Sequence, residues 1–347
     1  SKFLNLAPQN YFIGHESGKN ITTGTYNSFI GYQSGFSNTT GDDNLFLGYQ
    51  SGYNNKDGKA NIFLGNNSGY ENESGIFNVF IGRRTGYANT SGEKNIIIGD
   101  YAGTKNTSGK ENVFVGDIAG FSNTEGSNNV FVGKSAGWSS DTGSYNVFIG
   151  REAGYSNLGG QKNVFIGDQS GYSNNEGLDN VYIGNQSGFN NTSGNSNVFI
   201  GKNSGYNNTT GVSNIFLGKN AGYKNSTGVN NILIGRTAGY SGTAHENNIF
   251  IGDSTGYFTD DQYATKNVFI GYAAGKNTQS YNNVFIGNKA GYSNTGGQNN
   301  IAIGDLAGFK NTASQNIFMG TEAGKNNTDG FFNIMIGRHA GKDNTTG

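Results

Sequence analysis

The chain repeats itself every seventeen residues, and that period restricts its possible folds more than any other feature. Asn197 to Ser213 reads NVFIGKNSGYNNTTGVS, and whole periods away stand NVFIGRRTGYANTSGEK from Asn78, NVFIGREAGYSNLGGQK from Asn146 and NIFLGKNAGYKNSTGVN from Asn214. The leading Asn recurs at seventeen-residue intervals from Asn10 to Asn248. It continues at nineteen, sixteen, seventeen, sixteen and seventeen through Asn267, Asn283, Asn300, Asn316 and Asn333, which makes twenty copies. A fixed period means one small unit stacked on itself. Residues 10–347 therefore form one continuous array, irregular at about 240–283, and residues 1–9 form a cap or entry segment.

Composition narrows the class. Hydrophobic residues make up 33 % and glycine supplies 59 positions, values that in an aperiodic chain would point to disorder. Here the phase is strict, since an apolar residue returns to the same place in every copy. A net charge of −1 gives no electrostatic pull toward nucleic acid or anionic lipid. The absence of cysteine removes disulfides, thiolate metal sites and thiol nucleophiles. No apolar run reaches the roughly 18 residues of a membrane span, and SKFLNLAPQN is not a secretory signal.

With the leading Asn as position zero, positions one to three are mostly Val or Ile, Phe, and an aliphatic residue, and position four is always Gly. This is the pattern of a short strand closed by glycine. Positions seven and eight are a small residue and Gly, as in Ala153-Gly154. Position nine is aromatic in fifteen copies and is expected to open a second short strand. Positions eleven to fourteen, typically N-T-T-G, are expected to form the other corner, with Asn and Gly at positive φ. Nothing repeats at 3.6 residues, so helix is excluded. The result is an all-β chain, a parallel β-solenoid of about twenty coils, with the Asn column as a ladder of stacked amides.

Strand alternation places positions one and three on one side and position two on the other. A thin coil facing the small residue at position seven suggests that Val and Ile point inward. The rings at position two then form an outward stripe too large for a monomer to expose. On this reading Phe29, Phe46, Phe63, Phe80, Phe114, Phe131, Phe148, Phe165, Phe199 and Phe216 are expected at an interface between copies of the chain. The competing reading turns the rings inward and leaves the solenoid monomeric.

The motif Asn-Val-Phe-Ile-Gly, x-x-Ala-Gly-Tyr, x-Asn-Thr-Thr-Gly resembles the YadA-like head repeats of trimeric autotransporter adhesins. It also resembles the related seventeen-residue repeats of tail-fibre-like and adhesin-like proteins, over residues 10–347. The resemblance implies a left-handed β-roll, a homotrimer, and an extracellular role in attachment at a cell or virion surface. Position two is Phe here where those families often have Ala.

Chemistry is sparse. Catalysis needs unlike groups converging in a pocket, and the array offers like groups in columns. No enzymatic activity, cofactor or metal is expected. His15, His245 and His339 lie far apart and read as surface residues. Asp100, Asp117, Asp168, Asp253 and Asp305 recur after the strand glycine but cannot share one ion. Position-nine rings are a conceivable platform for sugars. The Thr-bearing corners suit an ice-binding array only if they are flat, and triplets such as Asn38-Thr39-Thr40 match the glycan-acceptor pattern.

The irregular stretch supplies the candidate receptor loop: His245, Asp260, Asp261, Gln262 and Tyr263. The leading expectation is a structural extracellular fibre or adhesin head. Its partners are itself and a surface glycan or protein receptor, with no nucleic acid and no membrane insertion in this segment. The alternative is a self-assembling extracellular filament or sheath protein that polymerises through uncapped coil ends.

Overall fold

A computed structural model describes residues 5–7, 9–259 and 264–346. The chain divides into two compact units, Ser1–Gly177 and Leu178–Gly347. Each is a parallel β-solenoid with the repeat period of the sequence. In the first unit β1 (Asn5–Ala7) pairs antiparallel with β2 (Asn10–Ile13), which pairs in parallel with β3 (Asn27–Ile30). Three-residue strands follow, one per coil, from Leu45–Leu47 to Val164–Ile166. The second unit carries the same strands from Val181–Ile183 to Ile334–Ile336.

Pairing is in register, one coil to the next: Val147 faces Val164, Phe148 faces Phe165 and Ile149 faces Ile166. Each strand can be this short because its neighbours above and below satisfy its amides. Val147 N–H donates to Asn163 O at 2.8 Å, and Gly150 N–H donates to Val132 O at 2.8 Å.

Only one strand forms per coil. The second strand expected at position nine is absent among the described residues, and positions five to ten form a turn instead. Positive φ is also distributed differently from expectation. It falls on positions six and sixteen, as at Glu152 (55°) and Lys162 (56°), and on the glycines at positions four and eight. The glycine at position fourteen needs no positive φ. It is required because a Cβ on Gly58 would lie within 3.0 Å of the next coil's Gly75 carbonyl oxygen.

The interior reverses one expectation. Alternation holds, but the side is the opposite one. Phe29, Phe46, Phe63, Phe80, Phe114, Phe131, Phe148, Phe165, Phe199 and Phe216 are each 0 % exposed, inside their own solenoid, so they cannot form an interface between chains. The reason is thickness. Where consecutive coils carry rings they lie nearly parallel, with centroids 4.8 Å apart for Phe131 and Phe148, so each needs only one coil rise of height. The glycine at position eight makes room: a Cβ on Gly35 would meet Phe29 Cδ2 at 2.5 Å. Burial of each ring contributes about 1.5–3 kcal/mol, and stacking adds about 0.5–1.5 kcal/mol.

Two asparagine ladders run beside the rings. Asn44 N–H and Nδ2 donate to Asn27 Oδ1 in the preceding coil at 3.0 and 3.1 Å, and Asn44 Nδ2 also donates to Gly58 O at 2.8 Å. That last bond ties the start of a coil to its end. Position eleven supplies the second ladder, where Asn55 Nδ2 donates to Asn38 Oδ1 at 2.6 Å and to the same Gly58 O at 3.2 Å. Both amides thus converge on one carbonyl, which has two lone pairs to accept them. Where position seven is Ser, its hydroxyl donates to the next coil's Phe carbonyl, as Ser51 does to Phe63 at 2.9 Å.

Candidate interaction surface

Because the rings turn inward, the strand's outer face is made by positions one and three. These are Val, Ile and Leu in nearly every coil, and they stand partly in water: Leu47 is 46 % exposed, Ile96 42 % and Ile62 37 %. Within each unit they form two parallel aliphatic columns on a sheet face. One coil advances each column by about 4.8 Å, so ten coils with a width of about 10 Å present roughly 500 Å². That matches the largest apolar patch an ordinary monomer exposes.

Position five beside these columns is polar and pairs along the array. Arg83 reaches Asp100 through Nε at 3.0 Å and Nη2 at 2.8 Å, and Arg151 reaches Asp168 through Nε at 2.8 Å. Lys134 lies 3.6 Å from Asp117, and Arg236 lies 2.8 Å from Asp253. Asp305 accepts from Asn288 Nδ2 at 2.6 Å. The Arg83 guanidinium holds the Asp100 carboxyl below the usual range. At Asp253 burial pushes the carboxyl up, but hydrogen bonds from Arg236 and Ser254 outweigh it and the net direction is down. These carboxylates are structural partners of neighbouring coils. Among the described residues no cluster of three or more His, Cys, Asp or Glu is arranged to hold a metal ion.

Position nine carries an outer aromatic ladder. In the first unit Phe36, Tyr53, Tyr70 and Tyr87 stack at 5.0, 5.1 and 5.0 Å, and Phe121, Trp138, Tyr155 and Tyr172 stack at 6.0, 5.1 and 4.9 Å. In the second, Tyr206, Tyr223, Tyr240 and Tyr257 continue from Phe189. Burial against their neighbours raises the phenol pKa of Tyr70, Tyr172 and Tyr223. Each ring's faces are covered by the rings above and below, so within a ladder no face is open to a sugar.

The corner columns are similarly engaged. The hydroxyls of Thr22, Thr107 and Thr192 donate to the carbonyls of Thr39, Thr124 and Thr209 at 2.9, 3.0 and 3.0 Å. They hold coil to coil rather than forming a free hydroxyl array. Asn38, the acceptor residue of its glycan triplet, is buried with its amide in the inner ladder.

Of the candidate receptor loop, His245 alone lies among the described residues. His245 is not a surface residue; it is 0 % exposed, with Nε2 hydrogen-bonded to Thr259 Oγ1. It stands where other coils have the position-fourteen Gly, and its ring enters the space left by Gly242 at position eleven. Asp260, Asp261, Gln262 and Tyr263 lie outside the described residues. His15 stacks on Tyr32 at 5.5 Å, and His339 Nδ1 lies 3.0 Å from Glu322 Oε2. The Gly242 and His245 exchange was readable in the sequence, because both depart from the repeat in one coil.

No protein-family model matches the chain, and no curated protein matches it.

Proposed function

We propose that the chain is a structural, self-associating component of an extracellular fibre or adhesin head, in which further copies of the chain cover the aliphatic strand face. The observation that carries this reading is the pair of outward columns typified by Leu45 and Leu47, exposed on the strand face with no charged residue at positions one or three. A second copy is a fitting cover because it has the same coil period, so columns on two chains interdigitate at every coil. Each unit's patch of roughly 500 Å² is more than half of the roughly 800 Å² per partner of a standard interface. The repeat's likeness to trimeric adhesin heads favours three left-handed chains around one axis and a role in surface attachment.

The test is the native mass of the purified chain, by sedimentation and by imaging. Discrete oligomers, trimers above all, support the proposal, and attachment of coated beads to glycan or cell surfaces tests the adhesive part. Unbounded fibres would favour the filament or sheath role instead. A stable monomer at micromolar concentration would overturn the reading.

A further inference from the structure

Position five, beside the aliphatic columns, carries an ordered run of charge in the first unit. Over six consecutive coils it reads Arg83, Asp100, Asp117, Lys134, Arg151, Asp168: plus, minus, minus, plus, plus, minus. The strands of these coils pair one to the next from Val79–Ile81 to Val164–Ile166, so the charges rise in even steps of about 4.8 Å. Read from its other end, the run is its own opposite at every place.

That symmetry has a geometric counterpart. Two strand faces related by a twofold axis along the strand direction set like positions against each other with coil order reversed. With the axis midway between the coils of Asp117 and Lys134, Asp117 of one copy faces Lys134 of the other, Asp100 faces Arg151 and Arg83 faces Asp168. Each contact occurs twice, so six opposite-charge pairs form. The aliphatic columns match as well, with Val115 set against Val132 and Ile98 against Ile149. Within one chain these charges already pair along the array: Arg83 with Asp100 at 2.8 Å, Lys134 with Asp117 at 3.6 Å and Arg151 with Asp168 at 2.8 Å. Their side chains remain 40 % to 64 % exposed, open to a second partner. Each pair then meets a pair of reversed order and closes an alternating foursome, and networks contribute where isolated exposed pairs contribute little.

The register is sharply defined. A shift of one coil in one direction brings Arg83 to Arg151 and Asp117 to its own twin. The opposite shift brings Asp100 to Asp168 and Lys134 to its twin. A parallel, in-register contact, as around a threefold axis, puts every charge at the level of its own twin. The flanking columns agree with the antiparallel register. At position sixteen the exposed rings of Phe77 and Tyr145 come opposite Lys162 and Lys94, and at position six Glu152 comes opposite Tyr101. No like charges meet in either column.

We propose that the partner covering the first unit's strand face is a second copy of the chain running antiparallel, its register fixed by the charges from Arg83 to Asp168. This rests on the reading that another copy covers the face, and it sets that copy's direction. The charge order thereby favours a twofold pair over the threefold axis that the repeat's likeness suggests. Like-charge repulsion in the other registers supplies the selection, and the aliphatic columns supply the adhesion.

The experiment is sedimentation of the intact chain with two charge exchanges that each preserve the pairing inside the chain. One is Arg83→Asp with Asp100→Arg, and the other is Arg151→Asp with Asp168→Arg. Either exchange alone sets like charges against like across the antiparallel contact, and is expected to raise its dissociation constant at least about tenfold. Both exchanges in one chain, or an equal mixture of the two variants, restore every opposite pair and are expected to recover the native affinity. An oligomeric wild type whose affinity neither exchange alters would overturn the antiparallel register and leave self-association standing. A wild type that stays monomeric at micromolar concentration would overturn both.

Discussion

His245 fills, from position fourteen of its coil, the space that an asparagine side chain at Gly242 would take. A Cβ built on Gly242 would run into the His245 ring. In the preceding coil the two positions are Asn225 and Gly228, the ordinary arrangement. The exchange keeps what the coil needs. The His245 carbonyl still accepts from Asn231 Nδ2, as Gly228 O accepts from Asn214 Nδ2 at 2.7 Å. The ring packs edge-on against Phe250 at 5.6 Å.

The two positions are therefore coupled. Gly242→Asn alone drives an amide into the imidazole, and His245→Gly alone leaves a cavity beside Phe250. Each is expected to cost about 2–3 kcal/mol. The double variant restores the ordinary pair and is expected to recover most of the loss, with a coupling of about 1 kcal/mol or more. Denaturant unfolding of the four proteins measures it, and additive losses would contradict the exchange.

Asn61 illustrates the amide ladder's sensitivity to charge. Its Nδ2 donates to Gly75 O at 2.8 Å, and its Oδ1 accepts from Asn78 N–H at 2.9 Å. Asn61→Asp keeps the acceptor but turns a carboxylate oxygen toward the Gly75 carbonyl in a buried site. The expected cost at neutral pH is about 3 kcal/mol or more. Burial raises the new carboxyl's folded pKa above its unfolded value of about 3.9. The folded state then binds the proton more readily, so the deficit shrinks as pH falls through the folded pKa. Stability of the variant relative to wild type between pH 7 and 4 checks the sign, and a deficit that grows toward acid would refute it.

Glu322 has the opposite sign. Hydrogen bonds from Lys325 and Lys342, each at 2.6 Å, hold its carboxyl at about 2, below the ordinary 4.5. A carboxyl depressed in the fold contributes stability that is complete above about 4.5 and disappears as pH falls toward about 2. Glu322→Gln should lower the melting temperature by a constant amount above that window, and the difference from wild type should close within it. A difference that persists at pH 2 would assign the effect to shape rather than charge.

The period, the parallel strand of each coil and the amide column were legible in the sequence because stacking forces like residues into line. The facing of the strand was not. Val147, Phe148 and Ile149 are all apolar, so alternation defines two sides without saying which is inside. The deciding signal is Gly154, whose missing Cβ leaves room for the Phe148 ring; its Cβ would meet Phe148 Cε2 and Cδ2. Weight given to small Ala153 pointed to the wrong side. Position nine read as a strand because Tyr155 is aromatic, yet positive φ at Glu152 and Gly154 holds that segment in a turn. The caps on the outer ladder, such as Lys105 over Phe121, depend on side-chain reach that a repeat pattern does not encode.

The central claim is that the coils turn the position-two side chain inward and the aliphatic pair toward another copy of the chain. Sedimentation of a variant carrying Leu47→Lys, Ile81→Lys and Val115→Lys tests it most directly, because these side chains lie on the outer face of alternate coils. The account predicts an oligomeric wild type and a variant that is monomeric with its β-sheet circular dichroism intact. A monomeric wild type, or a folded variant with unchanged mass, would contradict it.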